Sequence, residues 1–389
     1  MRHNLNIVIC LILLFLLLPA ASYVAAKTGV KPMENNSVLH WYWEWRQPPY
    51  GRTIDPSVYP GSTFVTWGSE DEPTLYAVTK DPANYSAVPH GIYKSLDLGL
   101  NWTFVPFDLP QKIGSIVVHP DDPDILLVAA SNNYTQSPEQ NLATQGLYYS
   151  SDGGATWANL IPDKIIYDIE VDAVHTNRIY ASTCCGGGIF RSEDYGETWS
   201  LISDAFLNDI ESHPTIPDLL FAARFFSMGP EEGIYRSVDG GLTWTEIGDM
   251  EYGQSHILID QNEPNRMYAY WGPHGAIWRT EDSGESWVDM SAGIPDIYSD
   301  PTAYTAVLDP YDDTVWLGMK HGGVLVSFDH GETWEQVNKG FIWWRTPDEL
   351  PDCTSMAVSS THQFATSCTS RLYVRGWFKI QFLPFLKRD

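Results

Sequence analysis

Basic residues are scarce in this chain of 389 residues, which contains 23 lysines and arginines against 49 aspartates and glutamates. The formal net charge of −26 argues against a nucleic-acid partner, because phosphate binding requires a basic surface. A strongly acidic protein attracts cationic partners instead. The charge balance therefore removes one large class of ligand and favours a solvated, acidic surface.

Cysteine is also rare, with five residues in the whole chain. No Cys-x-x-Cys pair is present and the histidines are scattered, so we expect no zinc or other metal site and no cofactor. Cys10 lies in an apolar N-terminal run, which leaves four cysteines for disulfides. Cys353 and Cys368 lie on neighbouring predicted strands and are one candidate pair. The adjacent Cys184 and Cys185 either form a vicinal disulfide or stay reduced.

Long hydrophobic runs are confined to the N-terminus. Ile7–Leu18 is an apolar run of twelve residues, short for a membrane span, and Ala25 and Ala26 offer small residues before a cleavage site. We predict a signal peptide over residues 1–26 and therefore a secreted or extracytoplasmic protein. No second run is long enough to cross a bilayer, so we expect no integral span after cleavage.

A short motif, Ser-x-Asp-x-Gly-x-Thr-Trp, occurs six times with small variations. Its aspartate closes a tight turn by accepting backbone N–H groups, its glycine permits positive φ, and its tryptophan is buried between neighbouring units. One catalytic centre does not need six copies, so we interpret these aspartates as structural rather than catalytic or calcium-binding. The motif aspartates, 42 to 55 residues apart, are Asp97, Asp152, Asp194, Asp239, Asp282 and Asp329.

A period in the forties with several short strands per unit is typical of β-propeller blades. We predict an all-β fold, a single seven-bladed β-propeller over residues 61–389. Its blades are four-stranded and antiparallel, with the motif turn between the third and fourth strands, C and D. Residues 27–60 form an N-terminal segment, in which a strand over 38–45 pairs with the last blade and closes the ring. The four strands of the seventh blade are assigned to Cys353–Ser360, Gln363–Cys368, Arg371–Arg375 and Trp377–Phe382.

The motif residues resemble the Asp-box (BNR) repeat family, and the resemblance covers nearly the whole chain after the apolar run. Propellers with such repeats occur in sialidases, xyloglucanase-type glycoside hydrolases, sortilin/Vps10 ectodomains and photosystem II assembly factors of the Ycf48 type. The segment GGIFRSEDYGETW at 187–199 is most similar to the sortilin and assembly-factor branch. The resemblance implies a propeller with WD40/YVTN/BNR-like repeats, and it leaves the function open because these relatives differ in activity.

Loops on the propeller face opposite the motif turns are the predicted functional surface. They connect strand B to strand C within a blade, and strand D to strand A of the next blade. Their aromatic and charged side chains suit stacking on sugar rings or gripping a peptide. The predicted ligand-binding residues are Tyr134, Arg224, Phe225, Phe226, Trp271, His274, His321, Trp343, Trp344 and Arg345.

The loops offer no clear catalytic set. A sialidase needs three converging arginines, whereas Arg191, Arg236 and Arg279 recur directly before the motif and are predicted to decorate the motif face. Adjacent loop carboxylates diverge, and paired catalysis needs a fixed separation. The weak catalytic candidates are Glu231, Glu232, Asp348 and Glu349.

The leading hypothesis is a secreted, monomeric, non-catalytic binding propeller for a glycan or an extended protein segment. One alternative is an extracellular glycoside hydrolase, of sialidase or xyloglucanase type, that acts on polysaccharide. The other alternative is an assembly factor for a membrane protein complex. Aromatic loops and a single propeller favour the first hypothesis over the two alternatives.

Overall fold

All residues that the structure, a computed structural model, describes belong to a unit formed by Tyr42–Asp389. The predicted signal peptide and the predicted strand Trp377–Phe382 lie outside the described residues. Within the described ranges, the chain has no helix that is long and apolar enough to cross a membrane. The described ranges are 44–46, 61–67, 74–80, 91–97, 101–107, 112–131, 145–184, 187–224, 233–248, 256–270, 277–294, 302–309, 313–320, 322–338, 353–358, 364–368 and 371–375.

Six blades are each built from four consecutive antiparallel strands. Their strands are rich in β-branched and aromatic residues and end at turns containing Gly, Asp and Pro. Blades one to three consist of β2 (Gly61–Trp67), β3 (Leu75–Lys80), β4 (Gly91–Ser95), β5 (Thr103–Val105); β6 (Lys112–Val118), β7 (Leu126–Ser131), β8 (Gly146–Ser150), β9 (Ala158–Pro162); and β10 (Ile166–Val171), β11 (Ile179–Thr183), β12 (Gly188–Ser192), β13 (Ser200–Ser203).

Blades four to six follow the same order, with one 3-10 helix, Ser291–Gly293, after the fifth blade. They consist of β14 (Asp209–Ser212), β15 (Leu220–Arg224), β16 (Gly233–Ser237), β17 (Thr245–Ile247); β18 (His256–Ile259), β19 (Met267–Tyr270), β20 (Ile277–Thr280), β21 (Val288–Asp289); and β22 (Ala303–Leu308), β23 (Val315–Met319), β24 (Gly323–Ser327), β25 (Glu335–Gln336).

A further four-stranded sheet, which we call the closing sheet, is composite and corrects the predicted architecture. Three of its strands are consecutive, β26 (Cys353–Val358), β27 (Phe364–Cys368) and β28 (Arg371–Arg375), but the fourth is β1 (Glu44–Arg46). The prediction of a seven-bladed propeller is therefore wrong, because the described residues form six blades of four consecutive strands together with this composite sheet. β27 and β1 pair with the two edges of β28.

The first strands of successive sheets contact one another in a closed ring. The order is β2, β6, β10, β14, β18, β22 and β26, and β26 contacts β2 again. We call the space that these innermost strands enclose the central channel. Because β1 and β26–β28 share one sheet, early and late parts of the chain are hydrogen-bonded where the ring closes.

Hydrophobic cores lie between successive blades rather than at one centre. The core between blades five and six contains Tyr268, Ile277, Met290, Leu317 and Trp334. Equivalent cores lie between the preceding pairs of blades. Each blade is therefore stabilised mainly by its neighbours, and its second strand is buried on both faces.

The same hydrogen bonds close each motif turn, as blade two illustrates. Ser150 Oγ donates to Asp152 Oδ1 at 2.8 Å, and Gly154 N donates to Ser150 Oγ at 2.9 Å. Thr156 donates from N to Oδ1 at 2.8 Å and from Oγ1 to Oδ2 at 2.6 Å. These bonds, chiefly that of the Thr156 side chain, lower the pKa of Asp152 to about 2. The bonds from Thr or Ser to the aspartate recur in blades three to six, so the turn itself uses both carboxylate oxygens.

Arginines directly before the motif join blades three, four and five to the blade that follows each of them, on the motif face. Arg191 donates to Gly240 O at 2.9 Å, and Arg279 donates to His330 O at 2.7 Å. Arg236 donates instead to a side chain in the motif turn of blade five, Glu285 Oε1, at 2.8 Å. The prediction that these three arginines decorate the motif face is confirmed.

Replacing Arg279 with methionine should lower the free energy of unfolding by about 1 kcal/mol, because His330 O loses a partly buried donor. The ion pair between Arg279 and the exposed Glu332 contributes little to this free energy. The matched variant Arg236→Met loses only a bond to the exposed Glu285 and should cost less than about 0.5 kcal/mol. Urea unfolding measures both values. Equal losses would contradict the view that the bond from Arg279 to His330 O stabilises the fold.

Candidate functional site

Carboxylates lie on the innermost strands of blades three and four. β10 carries Asp168 and Glu170, and β14 carries Asp209 and Glu211, in the same Asp-Ile-Glu order. Side chains alternate along a strand, so the two acids of each strand share one face, and the isoleucine between them is buried. The ring thus brings two carboxylate pairs from adjacent blades together at the central channel.

The two aspartates accept hydrogen bonds from the backbone of the following blade. Ile210 N donates to Asp168 Oδ2 at 2.9 Å, and Ile257 N donates to Asp209 Oδ2 at 2.7 Å. The inner edge of an innermost strand presents N–H groups that no further strand pairs with. Each aspartate satisfies one of these groups and joins its blade to the next.

The two glutamates differ in their hydrogen-bond partners. Ser212 donates to Glu170 Oε1 from its N at 3.0 Å and from its Oγ at 2.7 Å. Ile259 takes the corresponding position on β18 and has no hydroxyl. No residue in the described part of the chain donates a hydrogen bond to Glu211. Glu211 is therefore the channel carboxyl with unused capacity for a ligand.

Burial and repulsion between neighbouring acids raise the pKa of Asp168, Glu170 and Glu211. Desolvation, reinforced by the charge of Asp209, raises the pKa of Asp168 to about 7. Desolvation likewise raises the pKa of Glu170 to about 8, against the opposing effect of its Ser212 bonds. The pKa of Glu211 lies well above its usual range, through desolvation and then repulsion from Glu170. The cluster therefore holds protons near neutral pH.

His256 on β18 brings an imidazole to the carboxyl cluster. Its Nδ1 lies 3.3 Å from Asp209 Oδ1, and its ring stacks on Tyr270 with 5.2 Å between the centroids and 22° between the planes. Burial lowers the pKa of His256, but the charge of Asp209 and its hydrogen bond outweigh this effect and raise the pKa. The side chains of His256 and Asp209 are 29% and 13% exposed, so both reach the channel although protein atoms surround them.

Arg224 is the predicted ligand-binding residue that lies in the described part of the chain. It ends β15, with its guanidinium carbon 5.6 Å from the ring centroid of Phe206. The ring centroids of Phe206 and Tyr167 lie 6.0 Å apart, and the Tyr167 hydroxyl donates to Cys184 Sγ at 3.3 Å. Cys184 is disulfide-bonded, which rules out its reduced form, and Cys185 lies outside the described residues.

The other predicted ligand-binding and catalytic residues are not among those that the structure describes. They are Tyr134, Phe225, Phe226, Trp271, His274, His321, Trp343, Trp344, Arg345, Glu231, Glu232, Asp348 and Glu349. Cys353 and Cys368 are register partners on β26 and β27, and the disulfide between them stays a prediction. Among the described ranges, no group of three or more His, Cys, Asp or Glu side chains is arranged to hold a metal ion.

The channel carboxylates lie on innermost strands, whereas the site residues predicted from the sequence lie on loops. A usable signal was present, since the tripeptide Asp-Ile-Glu occurs at 168–170 and again at 209–211, about one blade period apart. Both copies fall where the innermost strand of a blade is expected. Acids that repeat at that position in a ring must meet at its centre.

Sequence comparison relates the chain to two curated glycoside hydrolases, while no protein-family model matches it. A xyloglucanase of Paenibacillus sp. is 26% identical over 294 residues, covering 59% of this chain and 27% of that protein. The xyloglucanase Xgh74A of Acetivibrio thermocellus is 31% identical over 100 residues, covering 23% of this chain and 12% of that protein. The chain thus spans about a quarter or less of the curated relatives it matches.

Solved structures share the propeller fold. An ancestral GH74 enzyme has a TM-score of 0.64 at 16% identity, covering 87% of this chain and 46% of the enzyme. YCF48 bound to D1 peptide has a TM-score of 0.57 at 14% identity, covering 91% of this chain and 100% of YCF48. YCF48 from Cyanidioschyzon merolae has a TM-score of 0.56 at 14% identity, covering 86% of this chain and 98% of that YCF48 chain. At such identities these likenesses show the fold, a propeller of four-stranded antiparallel blades.

Proposed function

We propose that this protein is a non-catalytic binding propeller that recognises an extended protein segment bearing basic side chains. The observation that carries the proposal is the carboxyl cluster of Asp168, Glu170, Asp209 and Glu211 at the central channel. Glu211 has no hydrogen-bond donor among the described residues, and it lies beside other acids. A lysine or arginine side chain supplies both the donors and the positive charge that this cluster lacks.

Two further observations support a basic protein segment as the ligand. YCF48, which this chain matches along the whole YCF48 length, was solved bound to a D1 peptide. The net charge of −26 adds long-range attraction for a basic segment. The loop residues predicted from the sequence, Trp343 and Trp344 among them, remain candidates for contacts that flank the channel.

A fluorescein-labelled peptide of alternating serine and lysine tests the proposal by fluorescence anisotropy. It should bind, and more weakly as salt rises, because screening reduces the attraction. Glu211→Gln should weaken binding about tenfold or more, since it removes a charge-assisted bond. The control Glu335→Gln, which changes an exposed carboxyl on the outer strand β25, should have an effect of less than about twofold. Equal effects of the two variants would contradict the proposal.

A glycan, the other ligand class that the sequence predicts, gives a different result in the same assay. A neutral oligosaccharide binds through stacking and hydrogen bonds, which salt screens little. Labelled xyloglucan fragments that bind equally at low and high salt, and equally to Glu211→Gln, would favour the glycan over the basic segment.

A glycoside hydrolase is the second candidate, because both curated relatives found by sequence are xyloglucanases. Asp168, whose pKa is about 7, holds a proton near neutral pH, as a general acid must. Release of reducing ends from xyloglucan by the purified protein, lost in Asp168→Asn, would establish this candidate. An absence of release at several pH values would leave the binding function in place.

The location and the oligomeric state of this protein are part of the same proposal. We place the protein outside the cytoplasm as a monomer, on the strength of the apolar N-terminal run and the acidic charge. Mass spectrometry of the exported protein should find an N-terminus near Lys27, and size-exclusion chromatography should give the mass of one chain. A chain that keeps residues 1–26 would contradict the predicted cleavage.

A further inference from the structure

We infer that the innermost strands of blades three, four and five form a proton-dependent latch. The latch is closed while the channel carboxyls share protons, and it loosens when they are all ionised. This inference goes beyond the proposed function, because the latch is part of the fold and acts without a ligand. It concerns the opening of β10, β14 and β18 at the channel, not the unfolding of whole blades.

The geometry of the three blades makes side chains responsible for the connection at the channel. Each blade is a separate sheet, so no backbone ladder joins β10 to β14 or β14 to β18. The bonds that Ile210 and Ser212 donate to β10 carboxyls join blade four to blade three. The bond that Ile257 donates to Asp209 joins blade five to blade four. Three backbone N–H groups therefore report directly on the state of the latch.

The charged groups around the latch are mostly of one sign. Full ionisation puts four negative charges on two adjacent strands, and the imidazole of His256 lies 3.3 Å from one of these carboxylates, Asp209. The strands β6 and β7 also contact β10; β6 begins at Lys112, and no other residue of these two strands is titratable. The titratable groups on the elements at the latch are Lys112, Tyr167, Asp168, Glu170, Tyr180, Asp209, Glu211, Arg224, His256, Tyr268, Tyr270 and Tyr304.

Proton linkage gives the direction of the switch. An ionised carboxylate is a better acceptor for a backbone N–H, which by itself would strengthen the latch. The raised pKa values of Asp168 and Glu170 show that desolvation and repulsion outweigh those bonds. Opening hydrates the carboxyls and returns them toward an ordinary pKa, so they release protons. A rise in pH therefore favours opening, by up to about tenfold per pH unit for each proton released.

Hydrogen exchange of single amides, followed by NMR on the intact chain without ligand, tests the latch. After correction for the intrinsic exchange rate, the protection of Ile210, Ser212 and Ile257 should fall about tenfold or more between about pH 6 and pH 8. The reference amides are those of Gly196 and Gly241, which donate to motif serines far from the cluster. Their protection should change by less than about twofold.

Two results would overturn the latch. One is a corrected protection of the three latch amides that stays constant with pH. The other is an equal fall at Gly196 and Gly241, which would report unfolding of whole blades instead. Glu211→Gln removes one repelling charge and should flatten the pH dependence, whereas Glu335→Gln should leave it as in the natural chain. Because no ligand is present, a failed latch and a failed binding function give separate results.

Discussion

Replacing Trp334 with alanine should lower the free energy of unfolding by about 3–5 kcal/mol. Trp334 ends the motif of blade six and is 6% exposed, in the core between blades five and six. Its Nε1 donates to Met290 O at 3.4 Å across the blade boundary. The truncation would leave a cavity among side chains that are held by two separate sheets and cannot collapse easily.

Urea unfolding with a matched control measures this loss. Val238→Ala shortens a side chain that is 72% exposed in the motif turn of blade four, and it should change stability by less than about 0.5 kcal/mol. Trp334→Phe should fall between the two, because it fills part of the cavity. A loss below about 1 kcal/mol for Trp334→Ala would contradict the view that blades are stabilised at their shared boundaries.

The second large effect is a fall in stability as the pH rises from about 5 to about 8. Asp168 and Glu170 have folded pKa values of about 7 and 8, above the ordinary values that they have when unfolded. In this range the native state binds more protons than the unfolded state, so rising pH favours unfolding, by up to about 1.4 kcal/mol per pH unit for each group. The raised pKa of His256 acts in the same direction, since its stabilisation is lost as the pH rises through that pKa.

Two variants show whether the channel carboxyls cause this pH dependence of stability. Glu170→Gln should raise stability at about pH 8 and reduce the slope, because one proton fewer is released on unfolding. Asp239→Asn is the contrasting variant, since turn hydrogen bonds, chiefly from Thr243, lower the pKa of Asp239. Its stabilisation is lost only as the pH falls through that lowered value, so the slope above pH 5 should stay unchanged. If Glu170→Gln has the same slope of unfolding free energy against pH as the natural chain, the protons released on unfolding come from other groups.

Most of the blade architecture was predictable because it is local. The repeated motif fixes a turn, and the apolar residues before it fix a strand, as at Gly146–Ser150 before the turn closed by Asp152. The closing sheet was predictable only in part. The sequence predicts Trp377–Phe382 as the fourth strand of the last blade and a strand over 38–45 that pairs with that blade, whereas the structure pairs the shorter strand β1 with β28. The exact pairing joins residues more than three hundred positions apart, which a local pattern does not fix.

The channel site was less accessible to sequence reasoning than the blades. An acid on alternate positions of a strand usually marks a face exposed to solvent. Only the closed ring makes Asp168 and Asp209 neighbours and so raises the pKa of Asp168. The difference between Glu170 and Glu211 depends on the next blade, where Ser212 offers a hydroxyl and the equivalent Ile259 does not.

Calorimetric titration with the serine–lysine peptide tests most directly the claim that a basic segment binds the channel carboxyls. Repeating it at pH 7 in buffers of different ionisation enthalpy counts the protons exchanged on binding. A cation that enters the cluster displaces its shared protons, so we predict a release of about one proton or more, reduced in Glu211→Gln and unchanged in Glu335→Gln. Binding without proton release, or with the same release in both variants, would contradict a channel site.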